Sequence, residues 1–430
     1  MHLDTADTSS TDPVPGVDDP TNGINAPDLQ LFVFALFFVF GGITSLNDVI
    51  IPKLKELFTL SYAQAMLVQS AFFAAYFVVS LPAARIVQRT GYMRTAAFGV
   101  LTMALGCLMF IPASKSGAFS VFLLALFVLA AGITTVQVVA NPLISLLGPA
   151  RTAHSRLTFA QAFNSLGTTI FPYVGSILIL GSLAAAPDLS DAVAVAAYRT
   201  QETQVVVNTY LGLAAALVVL AGVIWLRRNR LPWTPVESPS FLMSFDLLKR
   251  LRFGWGALCI FLYVGAEVAI GSLIVNYLMM DTTMGLAEQM AGKHVPYYWG
   301  GALVGRFIGA GLLRLLSPGK VLATAACGSI ALLLTSISID GPASGWALLA
   351  IGLCNAIMFP TIFSLACEGL GSRAAEGSGI ICVAIVGGAI VPPLTGHLAD
   401  ITDLRTAMLL PAVCYALIAA YGIYARRPAI

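Results

Sequence analysis

Three ionisable side chains stand inside long apolar runs: Asp48 in SLNDVII, Glu267 in VGAEVAIG and Arg306 in GRFIG. A charge within a membrane-length apolar segment is expensive, so each is a candidate for function. A carboxyl in such a place suits proton exchange, because desolvation disfavours its anion. Asp48 and Glu267 are therefore candidate proton-coupling groups. Asp48 has a second reading as an exposed residue at the mouth of its segment, since Lys53 and Lys55 follow closely. Glu267, flanked by small residues, could instead accept a hydrogen bond from a ligand or pair with a neighbouring helix. Arg306 is read as structural or gating, either paired with a carboxylate or snorkelling. Arg85 and Arg94, in the basic turn RIVQRTGYMR, are placed with it.

Neutral amides form a second group: Gln69, Gln137, Asn141, Gln161, Asn164, Asn276 and Asn355 all fall in apolar runs. Each offers donors and an acceptor, and in lipid they must face a cavity or one another. Gln137 and Asn141 are four apart, and Gln161 and Asn164 three apart, so each pair shares one helix face. Two such faces could converge on a neutral polyhydroxyl ligand, which amides match without demanding charge. Aromatic rings suit the apolar face of such a ligand. Tyr263 and Phe359 are the candidate contacts, with Tyr277, Trp299 and Phe363 behind them. The other reading is interhelical hydrogen bonding for the amides and packing for the rings.

Several chemistries are excluded. No GxxxxGK[ST] motif supports phosphate binding. The seven Cys lie in apolar runs without CxxC spacing, and none of the four His sits mid-helix beside a nucleophile. No metal or cofactor is expected, and no nucleophile–base pair suggests an enzyme. A net charge of +2 implies no nucleic-acid partner.

These residues must be held by membrane helices. The chain has 430 residues, of which 58% are hydrophobic and only 10% charged, whereas soluble chains are about a quarter charged. Apolar runs occupy 30–52, 62–84, 95–113, 119–147, 157–184 and 203–226, then 255–280, 295–317, 319–338, 343–370, 374–400 and 404–425. Continuous apolar runs of this length predict helices, not the alternating strands of a barrel. Between the two sets of six lies a polar stretch. The expected organisation is an acidic, disordered tail over 1–28, a six-helix half over 29–226, a cytoplasmic loop over 227–254 and a second half over 255–430.

With both termini in the cytoplasm, the inner loops and tail hold sixteen of the 23 Lys and Arg. The outer loops hold six, and Arg306 is the remaining one. This satisfies the positive-inside rule. The halves also echo one another. VVANPLISLLG in the fourth run and IMFPTIFSLACEGLG in the tenth each carry a mid-run proline, Pro142 and Pro360. Two parallel six-helix repeats predict an all-α membrane protein of major-facilitator architecture, with pseudo-symmetric halves and a midplane site between them.

At this level of detail, six segments resemble one family. They are GGITSLNDVIIPKLKELFTLSYAQAMLVQSAFFAAYF, VANPLISLLGP, RLTFAQAFNSLGT, FLYVGAEVAIGSLIVNYL, FPTIFSLA and VGGAIVPPLTGHLAD. Together they resemble the fucose–galactose–glucose:proton symporters of the major facilitator superfamily. The resemblance implies a monomeric inner-membrane transporter that imports a neutral monosaccharide with a proton by alternating access. It implies a proton-linked role for Asp48 and a sugar-binding role for Gln161 and Asn164. One departure stands out: the fucose branch has a Glu on helix 4 where this chain has Gln137. Glutamine before ANP is similar to the glucose/galactose branch. Because Gln137 cannot titrate, sodium coupling or uncoupled transport stays open beside proton symport. So does the sugar: a hexose such as glucose or galactose is expected, with fucose, fructose, mannose or N-acetylglucosamine as alternatives.

Overall fold

Apolar chain in lipid has no water to satisfy its backbone, so it must close its hydrogen bonds within itself. The computed structural model describes residues 26–57, 62–116, 118–175, 192–231 and 241–427, and they follow this rule. The first half runs α1 (Pro27–Leu57), α2 (Tyr62–Thr90), α3 (Tyr92–Leu108), α4 (Phe110–Ser116), α5 (Phe119–Leu146), α6 (Ala153–Gly175) and α7 (Ala192–Leu226). A 3₁₀ segment, Phe241–Lys249, leads into the second half. There follow α8 (Leu251–Met279), the short α9 (Glu288–Gly292), α10 (Val295–Leu315), α11 (Pro318–Ser338), α12 (Pro342–Asn355) and α13 (Met358–Cys367). The chain closes with α14 (Ala374–Ala384), α15 (Gly387–Ile401), α16 (Leu404–Ala407) and α17 (Leu409–Tyr424). Because α3–α4, α12–α13, α14–α15 and α16–α17 each continue one another, each half has six spans.

Packing separates the halves. In the first, α1 lies on α6, and α5 and α7 lie on α3. In the second, α11 lies on α17, α10 on α12 and α15 on α8. Backbones come close where glycine permits it. A Cβ on Gly352 would run into the Tyr298 carbonyl across the α10–α12 contact. A Cβ on Gly167 would meet the Phe38 carbonyl where α6 crosses α1.

Ten stretches among the described residues are long and apolar enough to span a bilayer unaided. Helices α6 and α10 are not among them. They carry Arg156, Gln161 and Asn164, and Arg306 and Arg314, and they pack against each other across the two halves. The polar load is thus placed where the halves meet rather than against lipid.

Two expected boundaries move. Helix α1 begins at Pro27, so Asp28 lies in its first turn, where a negative charge suits the helix dipole, and pairs with Arg230 at 3.0 Å. The rest of the acidic tail, residues 1–25, lies outside the described residues. Helix α8 begins at Leu251, four residues before the expected run.

The mid-helix prolines have a specific consequence. A proline at position i removes the N–H that would bond the carbonyl at i−4. Pro360 therefore frees the carbonyl of Ala356, and the helix breaks there into α12 and α13. Pro142 leaves α5 continuous but frees the carbonyl of Val138. That carbonyl accepts from Ser378 Oγ of α14, in the other half, at 2.9 Å.

Candidate functional site

Gln137 and Asn141 share a face of α5. Asn141 is fully buried, and neither atom of its amide has a partner within the protein. Gln137 Oε1 and Thr134 Oγ1, on the same side of the helix, are buried and unpaired as well. On α6, Gln161 is buried and its Nε2 has no partner, while Asn164 Nδ2 reaches the Phe37 carbonyl at 3.4 Å. Leaving one buried polar group unmet costs about 1–3 kcal/mol. Several on two neighbouring helices form a set that ligand hydroxyls could satisfy.

Gln137, Gln161 and Arg306 sit at one depth, with Asn141 about one turn nearer the end of α5. Gln137 lies nine residues before the end of α5, Gln161 eight after the start of α6 and Arg306 nine before the end of α10. At 1.5 Å per residue, each is roughly 12–14 Å from the face that carries the chain ends. That is near the middle of a hydrocarbon core about 30 Å thick.

Arg306 links the halves at this depth. Its Nε–H donates to the Ala356 carbonyl, the one freed by Pro360, at 3.3 Å. Its Nη1 donates to the Gln161 carbonyl at 3.1 Å and to Ser165 Oγ, both on α6. Arg306 makes no ion pair among the described residues.

Glu267 is half-buried on α8. Its Oε1 accepts from Tyr263 Oη at 2.7 Å, one turn back on α8. The same hydroxyl lies 3.1 Å from the Asn355 carbonyl, at the end of α12. The Asn355 side chain is fully buried and used at both ends: Nδ2 donates to Tyr298 Oη at 2.8 Å, and Oδ1 accepts from Ser329 Oγ at 3.3 Å. Tyr263 and Asn355 thus stand behind the site, spending their polar atoms on protein.

The remaining candidates are scattered. The side chains of Asp48 and Gln69 lie outside the described residues. The backbone of Asp48 is in α1, seven residues past Gly41, which packs on Asn164. That puts Asp48 about two turns farther from the terminal face than the amides. Asn276 is exposed on the far part of α8, and Tyr277 is buried, donating to the Ser336 carbonyl at 2.9 Å. Trp299 is exposed and meets Tyr298 edge-on. Phe359 and Phe363 stack with centroids 6.3 Å apart. Arg85 is half-buried on α2, and Arg94 is exposed on α3.

Other residues that join the halves were not singled out from sequence. Glu376, buried near the start of α14, accepts from Gln88 Nε2 of α2 at 2.6 Å. It also pairs with Arg373 at 2.8 Å, which pairs in turn with Asp246 of the 3₁₀ segment at 2.6 Å. Ser155 Oγ donates to the Ala310 carbonyl at 2.6 Å and accepts from Arg314 Nε at 3.2 Å. His154 Nδ1, on α6, lies 2.5 Å from Ser364 Oγ of α13 in the other half. Ser364 Oγ also lies 2.8 Å from the Pro360 carbonyl and 3.3 Å from the Thr361 carbonyl, so its one proton has carbonyl acceptors on its own helix. One signal was available: Glu376 is a carboxyl among small residues at the edge of an apolar run, as Glu267 is within one. All these contacts lie between Arg306 and the face holding the chain ends, so the halves are closed at that face.

A multi-span helical bundle in two halves, with its polar groups held at mid-depth between them, is the architecture of a membrane transporter. Residues 32–385 match the model of the Major Facilitator Superfamily, and the chain belongs to that superfamily, in the branch of the glucose/galactose and fucose transporters. It is 48% identical over 395 residues to the glucose/galactose transporter of Brucella abortus, covering 90% of this chain and 92% of that protein. It is 34% identical to the L-fucose-proton symporter of Escherichia coli, covering 89% and 90% of the two chains. Its structure is similar to the crystal structure of FucP in the outward conformation, with a TM-score of 0.85, 32% identity and coverage of 93% and 99%. These relatives are transporters, and the chain is not an enzyme.

Proposed function

We propose that this chain imports a neutral hexose, of the glucose or galactose kind, together with a proton, by alternating access. The observation that carries the reading is the set of buried, unpaired amide atoms of Gln137 and Gln161 at mid-depth and of Asn141 one turn nearer the terminal face. They offer donors and acceptors in neutral form, which matches sugar hydroxyls and penalises ions. The names of the relatives support a hexose and a proton as cargo. Asp48 and Glu267 are the proposed proton-exchanging groups, with Asn164 and Phe359 flanking the sugar. Gln69 and Asn276 belong to the approach from the far side. Arg85 and Arg94 belong to the basic turn at the terminal face.

By the positive-inside rule the face carrying the chain ends is the cytoplasmic one, and the bacterial relatives support an inner-membrane location. Closure of the halves at that face, and the similarity to FucP in the outward conformation, support an outward-facing state. The monomer is the transporting unit.

The test is uptake into proteoliposomes with an imposed proton gradient, against a panel of monosaccharides. Glucose and galactose are expected to accumulate, and a protonophore to abolish accumulation. Asp48→Asn is expected to keep exchange of labelled for unlabelled sugar but lose accumulation. The absence of a titratable group at Gln137 favours a second reading, sodium coupling or facilitation. Accumulation that follows a sodium gradient, or equilibration that ignores both ions, would establish it instead.

A further inference from the structure

Tyr263 has one hydroxyl proton and two acceptors, Glu267 Oε1 at 2.7 Å and the Asn355 carbonyl at 3.1 Å. Which acceptor receives it depends on Glu267. A carboxylate only accepts, and it is the stronger acceptor, so it takes the tyrosine proton. A neutral carboxyl carries its own O–H, which can be donated to Tyr263 Oη. The tyrosine proton is then free to turn to Asn355. The balance is simple: one proton joins Glu267 from solvent, the tyrosine O–H rotates, and no tyrosine bond breaks.

We propose that Tyr263 is a positioning residue that passes the charge state of Glu267 to the break between α12 and α13. Asn355 ends α12, where carbonyls lack intrahelical donors. The next carbonyl, Ala356, is the one held by Arg306, whose other nitrogen holds α6 of the opposite half. A proton gained at Glu267 is thereby felt at a helix break one residue from the link between the halves. For the coupling to operate, the break must have two arrangements that the two states of Glu267 bias. Among the described residues, the titratable and charged groups facing Glu267 are Tyr263 on its own helix, Arg306 and Tyr298 on α10, and Tyr415 on α17. Of these, only Arg306 carries a charge at neutral pH. The proposal rests on Glu267 exchanging protons, and not on the identity of the sugar.

The experiment uses the full chain in lipid nanodiscs without sugar. Amide hydrogen exchange is followed over residues 356–362 at about pH 5 and about pH 8, with labelling times scaled for intrinsic exchange. In parallel, the infrared carboxyl band assigned by Glu267→Gln is titrated. In the wild type, protection of the segment is expected to change about fivefold across the range, the equivalent of one ordinary net hydrogen bond. In Tyr263→Phe the band should still titrate while protection stays flat. In Glu267→Gln protection should be flat at the acid level. A wild-type response that survives Tyr263→Phe overturns the proposal, as does an unresponsive segment beside a titrating band. A band that never titrates overturns it too, by removing Glu267 as a proton site. The hexose uptake assay is a separate measurement and can fail or succeed independently.

Discussion

Arg306 donates to the carbonyl of Ala356, and Ala356 has that carbonyl to spare because Pro360 cannot. A proline defect in one helix becomes the socket for a cation on another, and the cation's remaining donors reach α6 in the opposite half. A lysine could not reproduce this, since it has no planar fork of donors. Arg306→Lys is therefore expected to reduce the transport rate about tenfold or more, with little loss of folded protein, as measured by proteoliposome uptake. Pro360→Ala should return a helical donor to Ala356 and lower transport in the same direction. Arg306→Lys at the wild-type rate would show that the fork is not used.

The unpaired amide on α5 yields a contrast between binding and stability. Asn141 has two buried polar atoms with no protein partner. Replacing them with apolar atoms of similar shape removes a desolvation cost. Asn141→Leu is expected to melt at the same temperature as the wild type or a few degrees higher, about 2–4 °C per kcal/mol for a large domain. It should also lose hexose binding. Thermal shift with and without sugar reads both effects. A lower melting point together with retained binding would mark Asn141 as a structural residue.

The bond between Gln88 and Glu376 should help to hold the terminal face closed. A hydrogen bond to a charged group contributes about 1.5–3 kcal/mol, or roughly tenfold to a hundredfold in an equilibrium. Ala84 is buried beneath Gly379 of the other half. In a variant without native cysteines, Ala84→Cys should therefore label slowly. Adding Glu376→Ala is expected to speed that labelling about tenfold or more. Unchanged labelling would mean that the packing of α2 on α14 holds the face shut without this bond.

Asp246 should stabilise the terminal face at neutral pH and stop doing so in strong acid. The hydrogen bond from Arg373 holds its carboxyl below the usual aspartate range. A carboxyl depressed in the folded state stabilises the fold above its unfolded value, and that stability is lost only as pH falls through the lowered folded value. The contribution of Asp246 should therefore be constant from about pH 5 to about pH 8 and fade only in stronger acid. Asp246→Asn should lower the melting temperature by the same small amount across the neutral range, with the difference vanishing at low pH. A difference that grows on acidification has the wrong sign for this pair.

Much of the molecule was legible before any coordinates. Apolar runs at 119–147, 295–317 and 319–338 meet helices at Phe119–Leu146, Val295–Leu315 and Pro318–Ser338. Amphipathic spacing also placed the α5 and α6 amides on shared faces. These features depend on local chemistry, namely the backbone's need for internal hydrogen bonds in lipid and the turn of a helix. Gln88 and Glu376 are 288 positions apart, and nothing local connects them. The sequence by itself determined the spans, the duplicated halves and which polar residues lipid would reject. Only the tertiary structure decided which of those residues keep unmet hydrogen-bonding capacity, as Asn141 does, and which spend it on protein, as Asn355 does. That division depends on the partner each helix meets, and a partner hundreds of residues away leaves no periodic trace along the chain.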